Sequence, residues 1–227
     1  MKELDELIRA LEVNKTVYDA VRKYLRPGVS EQDIYELTKT TVDEMLSDVS
    51  HEFIGDFVGG KRCSLIGGDP TEYKLSSGDG FILDLSIRCK STWSDTCRTF
   101  FLGEPSDEIK TAYSNVLKLQ SLGASLIKPG ICAEKVKLDA ENLLMDMGYG
   151  GMMPHHMGHI IGSEPYMTPA FDIGHRDTIN EGVFFTLEPG LYSHDAWGLR
   201  VENDYVLQPD GAKLLFTYPT EIDYFII

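Results

Sequence analysis

Two acidic residues in one short stretch carry the first chemical signal. In FILDLSIRCKSTWSDTCRTF, Asp84 and Asp95 lie eleven residues apart on two expected antiparallel strands joined by a tight connection. Carboxylates are depleted in strands, and these two sit among β-branched and aromatic neighbours. Packed inward they must be paired or metal-bound, because a lone buried carboxylate costs several kcal/mol; turned to a polar face they are merely solvated. Two more acids occupy comparable places. Glu188 ends the apolar run of GVFFTLEPGLY, and Glu202 lies between Val201 and Asn203 in GLRVENDYVL. Between the pairs comes HHMGHIIG, with His155, His156 and His159. Four carboxylates and an imidazole suit Mn²⁺, Fe²⁺, Co²⁺ or Zn²⁺, and two divalent ions balance four negative charges. Two such ions side by side perform metal-assisted hydrolysis: they bridge a hydroxide and polarise a carbonyl oxygen.

The elements that must position these groups are legible in the apolar spacing. Leu4, Leu7, Ile8 and Leu11, then Val17, Ala20, Val21 and Tyr24, predict a helix that runs to Pro27-Gly28. Ser30 with Asp33 three residues later reads as a capping box, opening a second helix with Ile34, Leu37, Val42, Met45 and Leu46 on its face. Strands are expected over 52–59, 81–88 and 93–101, separated by the turn signals GGDP and SSGDG. The second half repeats the order. A helix starts at Ser106 and ends at Pro129-Gly130, and another follows through Val136, Ala140, Leu143, Leu144 and Met147.

Pro27 and Pro129 are 102 residues apart, and GDGFILD (78–84) aligns with GVFFTLE (182–188) at an offset of 104, so Asp84 falls opposite Glu188. This predicts an α+β fold of two pseudo-symmetric halves, about 1–103 and 104–227, facing each other across a shared site with one continuous core. The whole of 1–227 then forms a single catalytic domain. With 36 acidic and 21 basic side chains the net charge is −15, which leaves no cationic stripe for a phosphate backbone and argues against nucleic-acid partners. No apolar run reaches the length of a membrane span, and the charged amino terminus lacks a signal-peptide core. The four cysteines form no CxxC pair; reduced thiols in a cytoplasmic protein are expected, with a Cys89–Cys97 bridge across a hairpin as the alternative.

At this point the sequence resembles the pita-bread metallopeptidase family, which includes methionine aminopeptidase, aminopeptidase P, prolidase and the metal-free relative creatinase. The motifs are the Asp pair, GHIIG, EPGLY and the final Glu202 of GLRVEND. The resemblance implies a metal set of Asp84, Asp95, His159, Glu188 and Glu202, with Asp95 and Glu202 bridging, Asp84 completing one ion, and His159 and Glu188 the other. It implies two divalent ions, Mn²⁺ first, with Co²⁺, Fe²⁺ and Zn²⁺ as alternatives. EPGLY, GLRVEND, His155 and Arg200 are similar to the aminopeptidase P and prolidase branch. That branch implies hydrolysis of Xaa-Pro bonds, with Glu188 shuttling a proton, His155 at the substrate carbonyl and Arg200 binding substrate; Tyr166 is a further substrate-binding candidate. A peptide or small-molecule substrate and a homodimer are expected, and the amino-terminal domain that many members of the branch carry is not expected here.

The chain departs from that pattern twice. Where the family carries an H-E-x-P segment, this one reads Tyr166-Met167-Thr168-Pro169, and the segment LIGGDPT (65–71) holds Gly67 and Gly68 in place of a histidine. A tyrosine hydroxyl can donate to an oxyanion but cannot replace an imidazolium. A metal-dependent non-peptidase hydrolase or lyase, or a catalytically weak binding homologue, are therefore the competing expectations. His156 reads as a loop or packing residue ahead of a ligand, and His51, His175 and His194 as exposed or structural. Trp93, Tyr166, Met167 and Trp197 are candidates for the cleft wall, and the acids of the first two helices for a solvated face.

Overall fold

The computed structural model describes residues 2–227. Helix α1 (Lys2–Tyr24) buries Leu7, Ala10, Leu11, Val17 and Val21 against a three-stranded sheet. It is also sewn to that sheet by polar contacts. Asn14 donates to the Leu85 carbonyl at 2.9 Å and accepts from Ser94 Oγ at 2.7 Å, and the Tyr18 hydroxyl donates to the Thr96 carbonyl at 2.7 Å. Helix α2 (Glu31–Met45) begins at the expected capping box, with Ser30 Oγ accepting from Asp33 N at 3.1 Å and Asp33 Oδ2 from Ser30 N at 2.9 Å. The expected helical faces are narrower than their spacing suggested, since Ile8 and Met45 are 43% and 38% exposed.

The first sheet has the order β1 (His51–Gly59), β2 (Gly80–Cys89), β3 (Thr92–Phe101), all antiparallel. The second half opens with α3 (Asp107–Leu126), capped by Ser106, then β4 (Ile131–Cys132) and α4 (Ala133–Asp146). Short strands follow: β5 (His159–Ile161), β6 (Met167–Ala170), β7 (Thr178–Ile179), β8 (Phe184–Leu187), β9 (Gly190–Ser193), β10 (Trp197–Arg200), β11 (Asn203–Gln208) and β12 (Gly211–Leu214). Five of them form a sheet of order β12-β11-β8-β5-β6, while β9 pairs β10 and β4 pairs β7. The two larger sheets meet where Cys97 and Glu202 exchange backbone hydrogen bonds, Glu202 N to Cys97 O at 3.1 Å and Cys97 N to Glu202 O at 3.4 Å.

Two expectations need correction, on the core and on the helix acids. The core is divided: one large cluster packs under α1 and α2, another under α3 and α4. Between them runs a buried polar layer containing Asp95, Arg98, Thr99, Glu202, Asn203 and Asp204, whose groups bond to one another and interrupt apolar contact. Two helix acids are buried instead of solvated. Glu6 accepts from Ser91 and Thr92, and Glu31 accepts from Gly59 N (2.7 Å), Thr71 N (2.9 Å) and the Thr71 hydroxyl (2.6 Å) and pairs with Arg62. The expected free thiols are present at all four cysteines, and the hairpin register, with Cys89 opposite Thr92 and Cys97 opposite Asp84, keeps the alternative Cys89–Cys97 bridge from forming.

Candidate metal centre

Each candidate ligand reaches the seam between the sheets on its own element. Asp84 lies within β2, opposite Cys97 on one side and Asp56 of β1 on the other. Asp95 lies in β3 opposite Ser86, whose hydroxyl donates to Asp95 Oδ1 at 2.8 Å. Glu188 follows β8, and Glu202 fills the step between β10 and β11. His159 opens β5 immediately after Gly158, which has φ +149°; a Cβ there would stand 2.1 Å from the Thr186 carbonyl oxygen. Only glycine lets β5 enter this close to β8.

The side chains converge on one cleft of about 290 Å³ whose wall includes Asp84, Asp95, His159 and Glu188. His159 Nε2 is 3.5 Å from Asp95 Oδ2 and 3.3 Å from Glu188 Oε1. Its Nδ1 faces the Ile160 carbonyl at 3.0 Å, which assigns the proton to Nδ1 and leaves the Nε2 lone pair for the cleft. Asp95, His159 and Glu202 form one trio of ligand atoms within 4.8 Å of each other, and His155, His156 and Glu188 another. Asp84 belongs to neither trio; its Oδ2 is held at 2.6 Å by Arg200.

Charge is the unresolved quantity in this cluster. Of the guanidinium groups at the seam, Arg98 bonds to oxygens of Cys97, Glu202 and Asn203 that are not carboxylates, and Arg200 pairs with Asp84. Burial pushes Asp84 up to about 6, with Arg200 pulling the other way. Burial also lifts Asp95 and Glu202 well above the carboxylate range, and their acidic neighbours add to the rise. Burial opposes ionisation of Glu188 too, yet the imidazoles around it, His156 foremost, bring it down to about 2. Glu188 Oε1 and Glu202 Oε1 are buried without a hydrogen-bond partner. Orphaned carboxylate oxygens beside an imidazole lone pair, with only Asp84 of the four acids paired to a guanidinium, are what a divalent cation pair neutralises. The residues fit the metal group.

The remaining site residues occupy distinct places. His155, pushed down to about 4 by burial, is neutral near pH 7. Its Nδ1 faces the His156 carbonyl at 2.8 Å and its Nε2 the Tyr192 hydroxyl at 3.0 Å. Arg200 is 3% exposed and fully engaged at its ends: Nη1 donates to the Tyr192 hydroxyl and the Ile66 carbonyl, both at 3.1 Å, and Nη2 reaches Asp56 as well as Asp84. Tyr166 lines the cleft, 47% exposed, with its ring 4.6 Å from that of His159. Trp93, Met167 and Trp197 do not line it. Among the histidines set aside in the sequence, His51 pairs with Asp43 at 3.1 Å and His194 is solvent-exposed, whereas His156 turns into the cleft.

A family model described as metallopeptidase family M24 matches residues 5–209. The chain belongs to metallopeptidase family M24. Its fold is the pita-bread fold of the Xaa-Pro peptidases in that family. The M24 chain is 28% identical over 221 residues to the peptidase YqhT of Bacillus subtilis, an alignment covering 97% of this chain and 62% of that one. It is similar to the solved X-Pro aminopeptidase of Thermotoga maritima, with a TM-score of 0.91 and 29% identity, covering 100% of this chain and 63% of that. The Xaa-Pro dipeptidase of Bacillus anthracis is comparable, at TM-score 0.90 and 28% identity, covering 97% and 62%. The M24 chain thus spans a little over three-fifths of the length of these relatives.

Within this M24 site several groups had no sequence signal of their own. Asp204, fully buried, accepts from the Asp95 backbone N–H at 3.0 Å and so fixes the strand that carries Asp95. Its spacing of two from Glu202 was the available clue. Asp56 had none, because its role depends on register with Asp84. Its carboxylate accepts from Gly68 N at 2.8 Å, and a Cβ at Gly67 would lie 2.2 Å from Asp56 Oδ2. The space beside the histidine-free segment 65–71 is therefore filled by an acid.

Proposed function

We propose that this chain is the catalytic fold of a dinuclear metal-dependent peptidase that hydrolyses the Xaa-Pro bond, as an aminopeptidase or dipeptidase. The observation carrying this reading is the convergence of Asp84, Asp95, His159 and Glu188 on one cleft, with Glu202 grouped with Asp95 and His159 and buried oxygens left unpartnered. Similarity to an X-Pro aminopeptidase and an Xaa-Pro dipeptidase supports the substrate class. Asp95 and Glu202 would serve both ions, Asp84 one, and His159 with Glu188 the other, Mn²⁺ being the first choice for the carboxylate-rich position. Bound there, the ions lower the pKa of water and polarise the scissile carbonyl.

The chain's own residues do the rest. Glu188, ionised at neutral pH, accepts the proton of the attacking water at a carboxylate oxygen and returns it to the leaving amine. Arg200 orients Asp84 through the 2.6 Å ion pair and holds the Tyr192 hydroxyl against His155. His155 would stand beside the substrate carbonyl, its ring fixed by the His156 carbonyl at Nδ1 and the Tyr192 hydroxyl at Nε2. Tyr166, at the exposed lip, contacts the substrate beside His159. Four free thiols and the acidic surplus support a cytoplasmic protein acting on soluble peptides, with no nucleic-acid or membrane partner. A homodimer is the assembly to look for by sedimentation.

The test is hydrolysis of an Xaa-Pro panel by the full chain after loading with Mn²⁺ or Co²⁺. Turnover is expected, and Glu188→Gln should reduce it by about 10²–10⁴. No turnover with two ions bound would overturn the peptidase reading. A second reading, a non-peptidase hydrolase or lyase, is favoured by the Asp56 carboxylate beside Gly67. Esters, amides and small metabolites turned over faster than any peptide would select it.

A further inference from the structure

Of the two adjacent histidines in HHMGH, only one has a free lone pair in the cleft. His155 is committed at both ring nitrogens, Nδ1 to the His156 carbonyl and Nε2 to the Tyr192 hydroxyl. His156 presents Nδ1 to Glu188 Oε1 at 3.0 Å, yet the two atoms are not aligned for a hydrogen bond, and both are buried without a partner. His159 Nε2 approaches the same Glu188 oxygen at 3.3 Å. Two imidazole nitrogens thus approach the same carboxylate oxygen, Glu188 Oε1. Ligand atoms around an ion with bonds of about 2.0–2.1 Å stand about 2.9–3.4 Å apart in octahedral or tetrahedral geometry, the spacing that each of these nitrogens keeps from Glu188 Oε1.

The ring of His156 is also held in place. It packs edge-on against His159 at 5.3 Å and tilted against Tyr166 at 5.4 Å. The loop beneath it is tied to α4, where Lys137 donates to the carbonyls of Met153 and His155. Tyr166 stands where the family carries its H-E-x-P histidine, so His156 brings an imidazole back to this side of the cleft from another position.

We propose that His156 is a metal ligand through Nδ1, completing with His159 Nε2 and Glu188 Oε1 an imidazole-rich position that takes Zn²⁺, Fe²⁺ or Co²⁺ ahead of Mn²⁺. The proposal rests on the dinuclear reading above and deepens it. Asp84, Asp95 and Glu202 supply oxygen alone and suit Mn²⁺, whereas two imidazoles shift the other position towards borderline ions. The two halves of the centre then differ in metal preference.

The test compares wild type with His156→Gln and His156→Asp, using Zn²⁺, Mn²⁺ and Co²⁺ alone as probes. Chelator competition gives affinities, elemental analysis gives stoichiometry, and the visible spectrum of bound Co²⁺ reports coordination. Loss of even an outer-sphere partner costs about 10–100-fold in metal affinity, so His156→Gln should weaken one Zn²⁺ equivalent at least tenfold and alter the Co²⁺ bands. Mn²⁺ binding at the oxygen-rich position should change little, and His156→Asp should restore binding with the preference moved towards Mn²⁺. Nitrogen-15 chemical shifts of the Zn²⁺-loaded wild type should show Nδ1 of His156 coordinated, a readout that needs no variant to fold. Unchanged Zn²⁺ affinity and Co²⁺ spectrum in His156→Gln, or an uncoordinated Nδ1, overturns the proposal while the dinuclear centre stands. A His156-dependent metal site without Xaa-Pro turnover leaves the ligand in place and removes the peptidase reading. A wild type that binds no ion removes both.

Discussion

At the residue scale, Arg200 organises the acids at one edge of the candidate metal centre. Its buried guanidinium spans Asp84 and Asp56, at 2.6 and 3.1 Å, and anchors the Tyr192–His155 contact. Breaking a buried pair by removing one partner costs about 3–5 kcal/mol, because the other charge is left in low dielectric. Arg200→Met should therefore destabilise the chelator-treated protein by about that amount in urea unfolding. A change under about 1 kcal/mol would mean that Asp84 and Asp56 are already solvated or protonated. The same residue explains why a basic group beside a metal ligand is retained among so many acids: it pairs with Asp84 without entering either trio.

At the element scale, side chains near helix ends clip the sheets to the helices. Glu31, in the first turn of α2, receives the Gly59 and Thr71 N–H groups and so ties the segment beside Gly67 to the helix. His51, where β1 begins, joins the last turn of α2 through Asp43 at 3.1 Å and donates from Nδ1 to the Val49 carbonyl at 3.0 Å. That carbonyl first, and Asp43 after it, raise the His51 pKa against the effect of burial. A histidine whose folded pKa is raised contributes stability that is complete below the unfolded value of about 6.5 and is lost as pH rises through the folded value. The stability difference between wild type and His51→Gln should accordingly be larger at pH 5.5 than at pH 8.5. An NMR titration should find His51 above its unperturbed pKa in wild type and lower in Asp43→Asn; equal values would remove the clip.

At the scale of the whole molecule, the two halves are joined by polar bonds across the buried layer. Arg98, fully buried, donates to Cys97 O at 2.8 Å, Glu202 O at 2.7 Å, Asn203 Oδ1 at 2.8 Å and Pro219 O at 2.9 Å, and its guanidinium lies 4.9 Å from the centre of the Phe216 ring. It therefore binds the strand of Asp95 to the strand of Glu202 and fixes the distance between two candidate ligands. Arg98→Met leaves several carbonyl oxygens unpaired, each worth about 1–3 kcal/mol. The expected loss is a few kcal/mol and a fall in melting temperature on the order of 6–12 °C for a chain of this size. Arg98→Lys should recover little, since an ammonium cannot fork between strands. Recovery to the wild-type temperature would show that charge alone, and not the fork, joins the halves. On the surface the acidic surplus persists: two bound divalent ions change −15 to −15 + 4 = −11.

Local chemistry is what the sequence determined by itself. The capping box at Ser30, the strand runs around Asp84 and Asp95, the Pro-Gly helix stops and the five candidate ligands were all readable, because each depends on neighbours a few residues away. Only the tertiary structure decided which acids share a charge partner, and it did so through register. Asp56 faces Asp84 because β1 pairs with β2 at that step, and Asp204 meets Asp95 because two sheets join at Cys97 and Glu202. It likewise buried Glu6 and Glu31, split the expected single core, and separated His155 from its neighbour His156. Adjacent residues of one type are indistinguishable in a sequence. Their ring nitrogens are told apart by the hydrogen bonds that surrounding backbone and side chains offer, and those partners come from elements far along the chain.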